Sequence, residues 1–178
     1  MSKSGRTPSI LIVDDERSIR DTLALILEAE GYELRTVGSA EDGLAALEER
    51  RADLVILDVR LPGMDGLTAL REIKKRDEQT DVIMISGHAT LSDAVEATRF
   101  GAFDFLQKPL NRDRVLITVR NALERVELTY QMEQLRQKTG GKFEMIGSSP
   151  VMGQLFREIE KVAPSRARVL ITGENGSG

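Results

Sequence analysis

Four short apolar runs occupy the first two thirds of the chain, and each is followed by a polar residue that could take part in chemistry. The runs are, in chain order, 9–13 before Asp14 and Asp15, 54–57 before Asp58, 82–85 before Ser86, and 103–106 shortly before Lys108. Helical patterns separate these runs, and that alternation is typical of parallel α/β sheets. The carboxyl ends of parallel strands lie at one edge of a sheet, where open α/β folds bind ligands. The sequence therefore predicts that carboxylates, a hydroxyl and an ammonium group meet at one edge.

Apolar residues at helical spacing predict five helices that alternate with the strands. These helices and a further strand are predicted at residues 17–30, 40–50, 67–76, about 90–100 and 111 onward, with the strand at 33–37. Ser39 with Asp42, and Thr90 with Asp93, have the spacing of helix capping boxes. Because crossovers between parallel strands are right-handed, few topologies remain, and the order 2-1-3-4-5 fits best. The predicted fold class is α/β: a doubly wound, flavodoxin-like sheet of five parallel strands over residues 8–125.

The fifth predicted helix extends beyond this domain. Its apolar seam recurs at alternating spacings of three and four, at Leu116, Val119, Leu123, Val126 and Tyr130. Two heptads fall short of the three or four that indicate a strong coiled coil. Residues 126–141 are therefore predicted to form a helical linker that ends at Gly140-Gly141. This linker either packs against a second copy of the chain or stands alone.

Residues 142–178 indicate the truncated start of a second α/β domain. A predicted helix at 149–162 and strand at 168–172 lead into a glycine-rich end with Gly173, Gly176 and Gly178. A phosphate-binding loop has glycines at this spacing, followed by a lysine. The chain ends one residue before that lysine, so the loop is partial, and a flexible end is the alternative. Since so short a segment cannot bury a core, we expect the chain to be the front part of a longer protein.

Composition narrows the functional classes. A net charge of −4 gives no basic surface for nucleic acid, and the absence of cysteine excludes disulfides and thiolate metal sites. No apolar run approaches the ~20 residues of a membrane helix. The polar N-terminus lacks the apolar core of a signal peptide. We therefore expect a cytoplasmic protein without membrane contact.

Asp14, Asp15 and Asp58 are the candidate metal ligands. Neighbouring strands lie about 4.8 Å apart, so these carboxylates can converge within a few ångströms. Clustered carboxylates repel one another unless a cation intervenes, and an all-oxygen ligand set favours a hard ion such as Mg²⁺. The backbone carbonyl of Arg60 would complete the set.

A carboxylate beside Mg²⁺ can attack phosphorus and form an aspartyl phosphate. Asp58 is the candidate nucleophile because it ends the central strand and precedes a loop rich in proline and glycine. Lys108 would pair with a phosphoryl oxygen, aimed inward by a cis peptide bond before Pro109. The hydroxyl of Ser86 would bond the phosphoryl group on its arrival.

Each of these residues has a plainer explanation when taken alone. Aspartate and serine at strand ends are usually turn residues or helix caps. Phe105 is by default a core aromatic, and His88, the only histidine, a loop residue. The shared edge favours the functional interpretation, because independent turn residues have no reason to collect there.

Four segments follow one another in a set order. They are Ile-Val-Asp14-Asp15-Glu16, Leu57-Asp58-Val-Arg-Leu-Pro62-Gly63-Met64-Asp65-Gly66, Ser86-Gly87, and Phe105-Leu-Gln-Lys108-Pro109. Together they closely resemble the receiver domain of bacterial two-component response regulators. The resemblance implies that Asp58 accepts a phosphoryl group from a sensor histidine kinase, with Mg²⁺ bound through Asp14, Asp15 and Asp58. It also implies that Ser86 and Phe105 form a switch. The switch would change the face formed by the fourth helix, fifth strand and fifth helix, and with it the dimerisation of the protein.

The tail has a resemblance of its own, carried by Met145-Ile-Gly147-Ser-Ser-Pro150 and by Val169-Leu-Ile-Thr-Gly173-Glu174-Asn-Gly176-Ser-Gly178. These segments are similar to the start of the AAA+ ATPase domain of nitrogen-regulation-type activators. The resemblance implies a full-length protein that contacts DNA and the sigma-54 form of RNA polymerase. This fragment, which lacks the lysine and the DNA-binding helices, is expected neither to hydrolyse ATP nor to bind DNA.

An enzyme is the alternative from another class: a Mg²⁺-dependent phosphohydrolase with an aspartyl-phosphate intermediate. Such enzymes generally need a second acidic residue near the nucleophile as a general acid. Here Val59 and Arg60 follow Asp58. The sequence therefore favours a phosphorylated switch over an enzyme.

Overall fold

A computed structural model describes residues 7–87, 91–140 and 149–162. The chain divides into two compact units, residues 1–134 and 135–178. The predicted strand at 168–172, the glycines Gly173, Gly176 and Gly178, and the predicted cap Thr90 lie outside the described residues, as does His88.

The first unit contains one sheet of five parallel strands. They are β1 (Ser9–Val13), β2 (Glu33–Val37), β3 (Leu54–Asp58), β4 (Asp81–Ser86) and β5 (Asp104–Gln107). Their order across the sheet is β2-β1-β3-β4-β5, which confirms the predicted topology. Every residue of β1, β3 and β4 is buried, as expected for strands covered on both faces.

Helices alternate with the strands. They are α1 (Arg17–Glu28), α2 (Ala40–Glu49), α3 (Gly66–Arg76), α4 (Leu91–Arg99) and α5 (Arg112–Gly140), with α6 (Pro150–Val162) in the second unit. The predicted cap of α2 is confirmed, since Ser39 Oγ accepts a hydrogen bond from Asp42 N at 3.1 Å. α1 ends two residues before the predicted end, because the chain turns at Gly31, whose φ is +84°.

Two hydrophobic clusters cover the two faces of the sheet. On one face, side chains of β1, β3 and β4 pack with α2, α3 and α4, for example Leu11, Met84 and Leu70. On the other face they pack with α1 and α5, for example Ile12 and Val119. Strand residues therefore alternate between two buried layers, which explains the near-continuous apolar runs of the sequence.

The two outer strands carry features that disfavour pairing with a further strand. On β2, Glu33 pairs with Arg50 at 2.6 Å, and Arg35 donates to the backbone carbonyls of Ala46 and Arg50, both at 2.6 Å. β5 has only four residues and is followed by Pro109.

The last described side chains of α5 leave apolar groups in solvent. Leu128, Tyr130 and Met132 are each more than half exposed. None of the helices in the described ranges has the length and apolar character needed to cross a bilayer.

Gly66 lies where the start of α3 approaches the end of β3. A Cβ atom at this position would lie 1.9 Å from the backbone carbonyl oxygen of Asp58. The backbone N–H of Gly66 donates to the carbonyl of Val59 at 2.9 Å. This close approach keeps the two ends of the loop between Asp58 and Gly66 next to each other.

We expect Gly66→Ala to destabilise the domain by about 2 kcal/mol or more, because backbone atoms must shift to admit the methyl group. Denaturant unfolding followed by circular dichroism measures the change. Gly38→Ala is the matched control, since a Cβ there would lie 3.6 Å from Arg20 Nη1, an ordinary contact. Equal stability of the two variants would contradict the close approach.

Candidate functional site

The carboxyl edge of the sheet collects the predicted residues. Val13 lies beside Leu57, and Asp58 beside Ile85, so Asp14 and Asp58 leave neighbouring strands at the same level. Ser86 lies beside Gln107, one residue before Lys108. Asp14, Asp58 and Ser86 are all buried.

The Lys108 ammonium lies at the centre of the site. Its Nζ is 2.9 Å from Asp14 Oδ2, 2.9 Å from Glu16 Oε1 and 3.0 Å from Asp58 Oδ2. The side chains of Lys108, Asp14 and Asp58 are nearly or fully buried, whereas that of Glu16 is 56% exposed. Three carboxylates thus share one ammonium group, which leaves the site with an excess of negative charge.

This charge arrangement shifts two pKa values. Burial raises the pKa of Asp58, the Lys108 ammonium opposes that rise, and the charge of Asp14 adds to it. Burial alone would lower the pKa of Lys108, but Asp14, Glu16 and Asp58 outweigh it and raise that pKa well above its usual range. Lys108 is therefore charged at every physiological pH. The ionised form of Asp58, in contrast, is less stable in the folded protein than in water.

One oxygen of this cluster has unused capacity. Asp14 Oδ2 is buried, and its one close polar contact among the described residues is Lys108 Nζ at 2.9 Å, so a second acceptor site on this oxygen is unfilled. Carboxylate oxygens of Asp14, Glu16 and Asp58 all lie within 4.8 Å of one another. An excess of negative charge, an all-oxygen donor set and an unfilled buried acceptor fit a hard divalent cation such as Mg²⁺.

Backbone contacts hold the site in place. Arg20, on α1, donates to the carbonyl oxygens of Asp14 at 2.6 Å and Asp15 at 3.0 Å. The backbone N–H of Lys108 donates to the carbonyl of Ser86 at 2.8 Å. The peptide bond between Lys108 and Pro109 is cis, as expected from the sequence.

The remaining candidates lie at the margins of the cluster. Asp15 is exposed and is not among the three clustered carboxylates. Arg60 donates its backbone N–H to Asp58 Oδ1 at 3.4 Å, so the backbone of Arg60 lies next to the Asp58 carboxylate. Phe105 is partly buried and packs against the core of the α2, α3 and α4 face.

Sequence reasoning missed Glu16 as a site residue. The only signal was its position directly after Asp14-Asp15. Which of Asp15 and Glu16 faces the site depends on the turn from β1 into α1, and no periodicity sets side-chain direction in that turn.

A parallel sheet in this order, with an acidic pocket and a lysine at its carboxyl edge, defines a class of protein. Residues 10–120 match the response regulator receiver domain family. The chain therefore belongs to the response regulator receiver domain family.

Individual relatives are regulators of transcription and nitrogen assimilation. The nitrogen assimilation regulatory protein NtrX of Azorhizobium caulinodans is 43% identical over 171 residues, which is 95% of this chain and 37% of that protein. The transcriptional regulatory protein ZraR of Salmonella typhimurium is 40% identical over 169 residues, 95% of this chain and 38% of that protein. The crystal structure of NtrX from Brucella abortus in complex with ADP is 44% identical, with a TM-score of 0.70, and the match covers 92% of this chain and 37% of that one. This chain thus spans little more than a third of the length of the relatives it matches.

Proposed function

We propose that Asp58 is the phosphoacceptor of a two-component system and that its donor is a sensor histidine kinase. The observation that carries this proposal is the buried Asp58 carboxylate, 3.0 Å from Lys108 Nζ at the carboxyl edge of the sheet. Membership of the receiver domain family supports the same role.

In the proposed reaction, an oxygen of Asp58 forms a bond to phosphorus while the bond from phosphorus to the donor nitrogen breaks. The bonding electrons leave with the donor imidazole, which takes up a proton. Lys108 stabilises negative charge on a phosphoryl oxygen as a compact point charge. Because Lys108 keeps its proton throughout, it acts by charge and not as an acid or base.

Mg²⁺ is the proposed cofactor. Asp14 and Asp58 would hold it, with Asp15 and the backbone carbonyl of Arg60 as the further ligands that the sequence indicates. When bound, Mg²⁺ supplies positive charge beside the transferring phosphoryl oxygens. The unfilled acceptor site on the buried Asp14 Oδ2 supports this assignment.

The proposed output of phosphorylation is a switch in the face formed by α4, β5 and α5. Ser86 ends β4, and Phe105, on β5, lies beside Met84 of β4. Both residues therefore connect the site to this face. Val95 on α4 and Ile117 on α5 are more than half exposed, which supports a homodimer through this face. The exposed apolar groups of α5 at Leu128 and Tyr130 support packing of the linker helix against a second copy.

We further propose that the switch controls an attached sigma-54-dependent activator. The full-length protein would contact RNA polymerase and DNA through parts beyond this chain, and it would act in the cytoplasm. The support is the similarity over nearly the whole chain to larger regulatory proteins such as NtrX and ZraR.

Intact-mass spectrometry after incubation with a small phosphodonor and Mg²⁺ tests this function. We expect one phosphoryl group per chain, after which uptake stops, because one buried carboxylate is the acceptor. Omission of Mg²⁺ is the control and should prevent uptake. Continued turnover of a phosphomonoester would instead support the phosphohydrolase, and no uptake under any condition would contradict the phosphoacceptor role.

A further inference from the structure

Glu16 is the one carboxylate of the cluster to which neither the sequence motifs nor the proposed reaction assigns a role. We propose that Glu16 is a positioning residue that holds the Lys108 ammonium in the unphosphorylated protein and releases it when the phosphoryl group arrives. This inference rests on the proposed function of Asp58.

The Lys108 ammonium group can donate only a limited number of hydrogen bonds. An ammonium group has three N–H donors and no acceptor. Lys108 donates to Glu16 Oε1 at 2.9 Å and to Asp58 Oδ2 at 3.0 Å, and Asp14 Oδ2 lies 2.9 Å away. All the close positions around Nζ are thus taken by carboxylates, so a phosphoryl oxygen must displace one of them.

The three carboxylates around Lys108 differ in how easily each can leave. Asp14 is fully buried, and its Oδ1 accepts the backbone N–H of Glu16 at 2.8 Å, so its movement would break a buried hydrogen bond. Asp58 itself carries the phosphoryl group. The Glu16 side chain is 56% exposed, and water can solvate it on release. Glu16 is therefore the partner that leaves at the least cost.

The backbone at the start of α1 fixes the position of Glu16 beside the site. The carbonyl of Glu16 accepts the N–H groups of Ile19 at 3.1 Å and Arg20 at 3.2 Å, which fixes this residue at the start of α1. Its side chain makes no capping hydrogen bond to that helix. The side chain instead spans to Lys108, which is 92 residues away in sequence.

Release also relieves a charge conflict. A carboxylate that stays beside Lys108 would lie near the negative oxygens of an aspartyl phosphate, and like charges disfavour each other. Glu16 therefore stabilises the unphosphorylated form more than the phosphorylated one. A contact with that difference shifts the equilibrium between the two forms.

Calorimetric titration with Mg²⁺ and beryllofluoride, a phosphoryl mimic, tests the inference on the full chain. We expect Glu16→Gln to bind the mimic about three- to fivefold more tightly than wild type, because the variant lacks one partly exposed ion pair that binding must break. Asp21→Asn is the matched control, because Asp21 is an exposed α1 carboxylate that pairs only with Arg17 among the described contacts. It should bind the mimic as wild type does.

Two further measurements separate positioning from other roles. Glu16→Asp keeps the charge but shortens the side chain, so it should bind the mimic as Glu16→Gln does. If Glu16→Asp instead bound the mimic with wild-type affinity, the effect would come from charge alone and the inference would be overturned. Mg²⁺ alone should bind Glu16→Gln no more weakly than wild type, since weaker binding would make Glu16 a metal ligand instead. Equal affinity of Glu16→Gln and wild type for the mimic would overturn only the role of Glu16. Failure of wild type to bind the mimic would overturn the Asp58 function as well.

Discussion

We expect Asp58→Asn to abolish labelling of the chain by small phosphodonors in the presence of Mg²⁺. An amide nitrogen or oxygen in place of the carboxylate cannot supply the anionic nucleophile that attacks phosphorus. Intact-mass spectrometry of the variant and wild type measures the effect. Asp65→Asn is the matched control: it lies in the loop after Asp58, and asparagine can keep its capping hydrogen bond to Thr68 N.

Asp58→Asn should also unfold at a higher temperature than wild type at neutral pH without Mg²⁺. The raised pKa of Asp58 means that the folded protein binds this proton more tightly than the unfolded chain does. Ionised Asp58 therefore lowers stability, fully so at pH values above its folded pKa. The advantage of Asp58→Asn should shrink as the pH falls toward the ordinary carboxyl pKa. Undiminished labelling of Asp58→Asn would remove Asp58 from its role, whatever the melting temperatures.

The second large effect is expected for Lys108→Met, which should lose about 3 kcal/mol of stability in EDTA. Methionine fills a similar volume but leaves Asp14, Glu16 and Asp58 without a neutralising charge. Because the pKa of Lys108 is raised, its stabilising contribution is complete at neutral pH and is lost only above the usual lysine range. Denaturant unfolding at several pH values measures the loss.

Two conditions should restore part of the stability of Lys108→Met. Mg²⁺ should do so by supplying positive charge between the carboxylates, and acid should do so by protonating them. Lys75→Met is the control, since Lys75 is exposed and pairs with Glu72 at 3.4 Å on the surface of α3. A Lys108→Met protein as stable as Lys75→Met would show that the ammonium does not hold the cluster together.

The topology of the sheet could be predicted because its sequence signals are strong and mutually consistent. Apolar runs such as 54–57 are too short for helices, and the handedness of crossovers leaves few orders. Topology brings Asp58 and Lys108 to the same edge of the sheet, since both residues come at the carboxyl ends of parallel strands. Because β4 lies between their strands, their contact also depends on the long lysine side chain. Gly31 marks the end of α1 in the sequence, but the exact last residue differs: residue 30 was predicted, whereas α1 ends at Glu28 and Gly31, with a φ of +84°, lies in the turn that follows.

The detailed contacts of the site could not be predicted in the same way. Asp15 and Glu16 are both acidic and adjacent, and only the turn into α1 decides that Glu16 contacts Lys108. Likewise, the sequence does not show that Arg20 binds the carbonyls of Asp14 and Asp15, because that bond depends on how α1 lies against the end of β1. Such contacts depend on three-dimensional packing and not on spacing.

The composition and length of the outer strands limit how copies of this domain can associate. An open strand edge would let molecules join into one continuous sheet and grow without limit, a hazard that charges, proline and short strands suppress. Here β2 carries the charged residues Glu33 and Arg35, and β5 has only four residues and ends at Gln107, two residues before Pro109. Self-assembly by strand addition is therefore disfavoured, so the proposed homodimer would form through helices and not through strand edges.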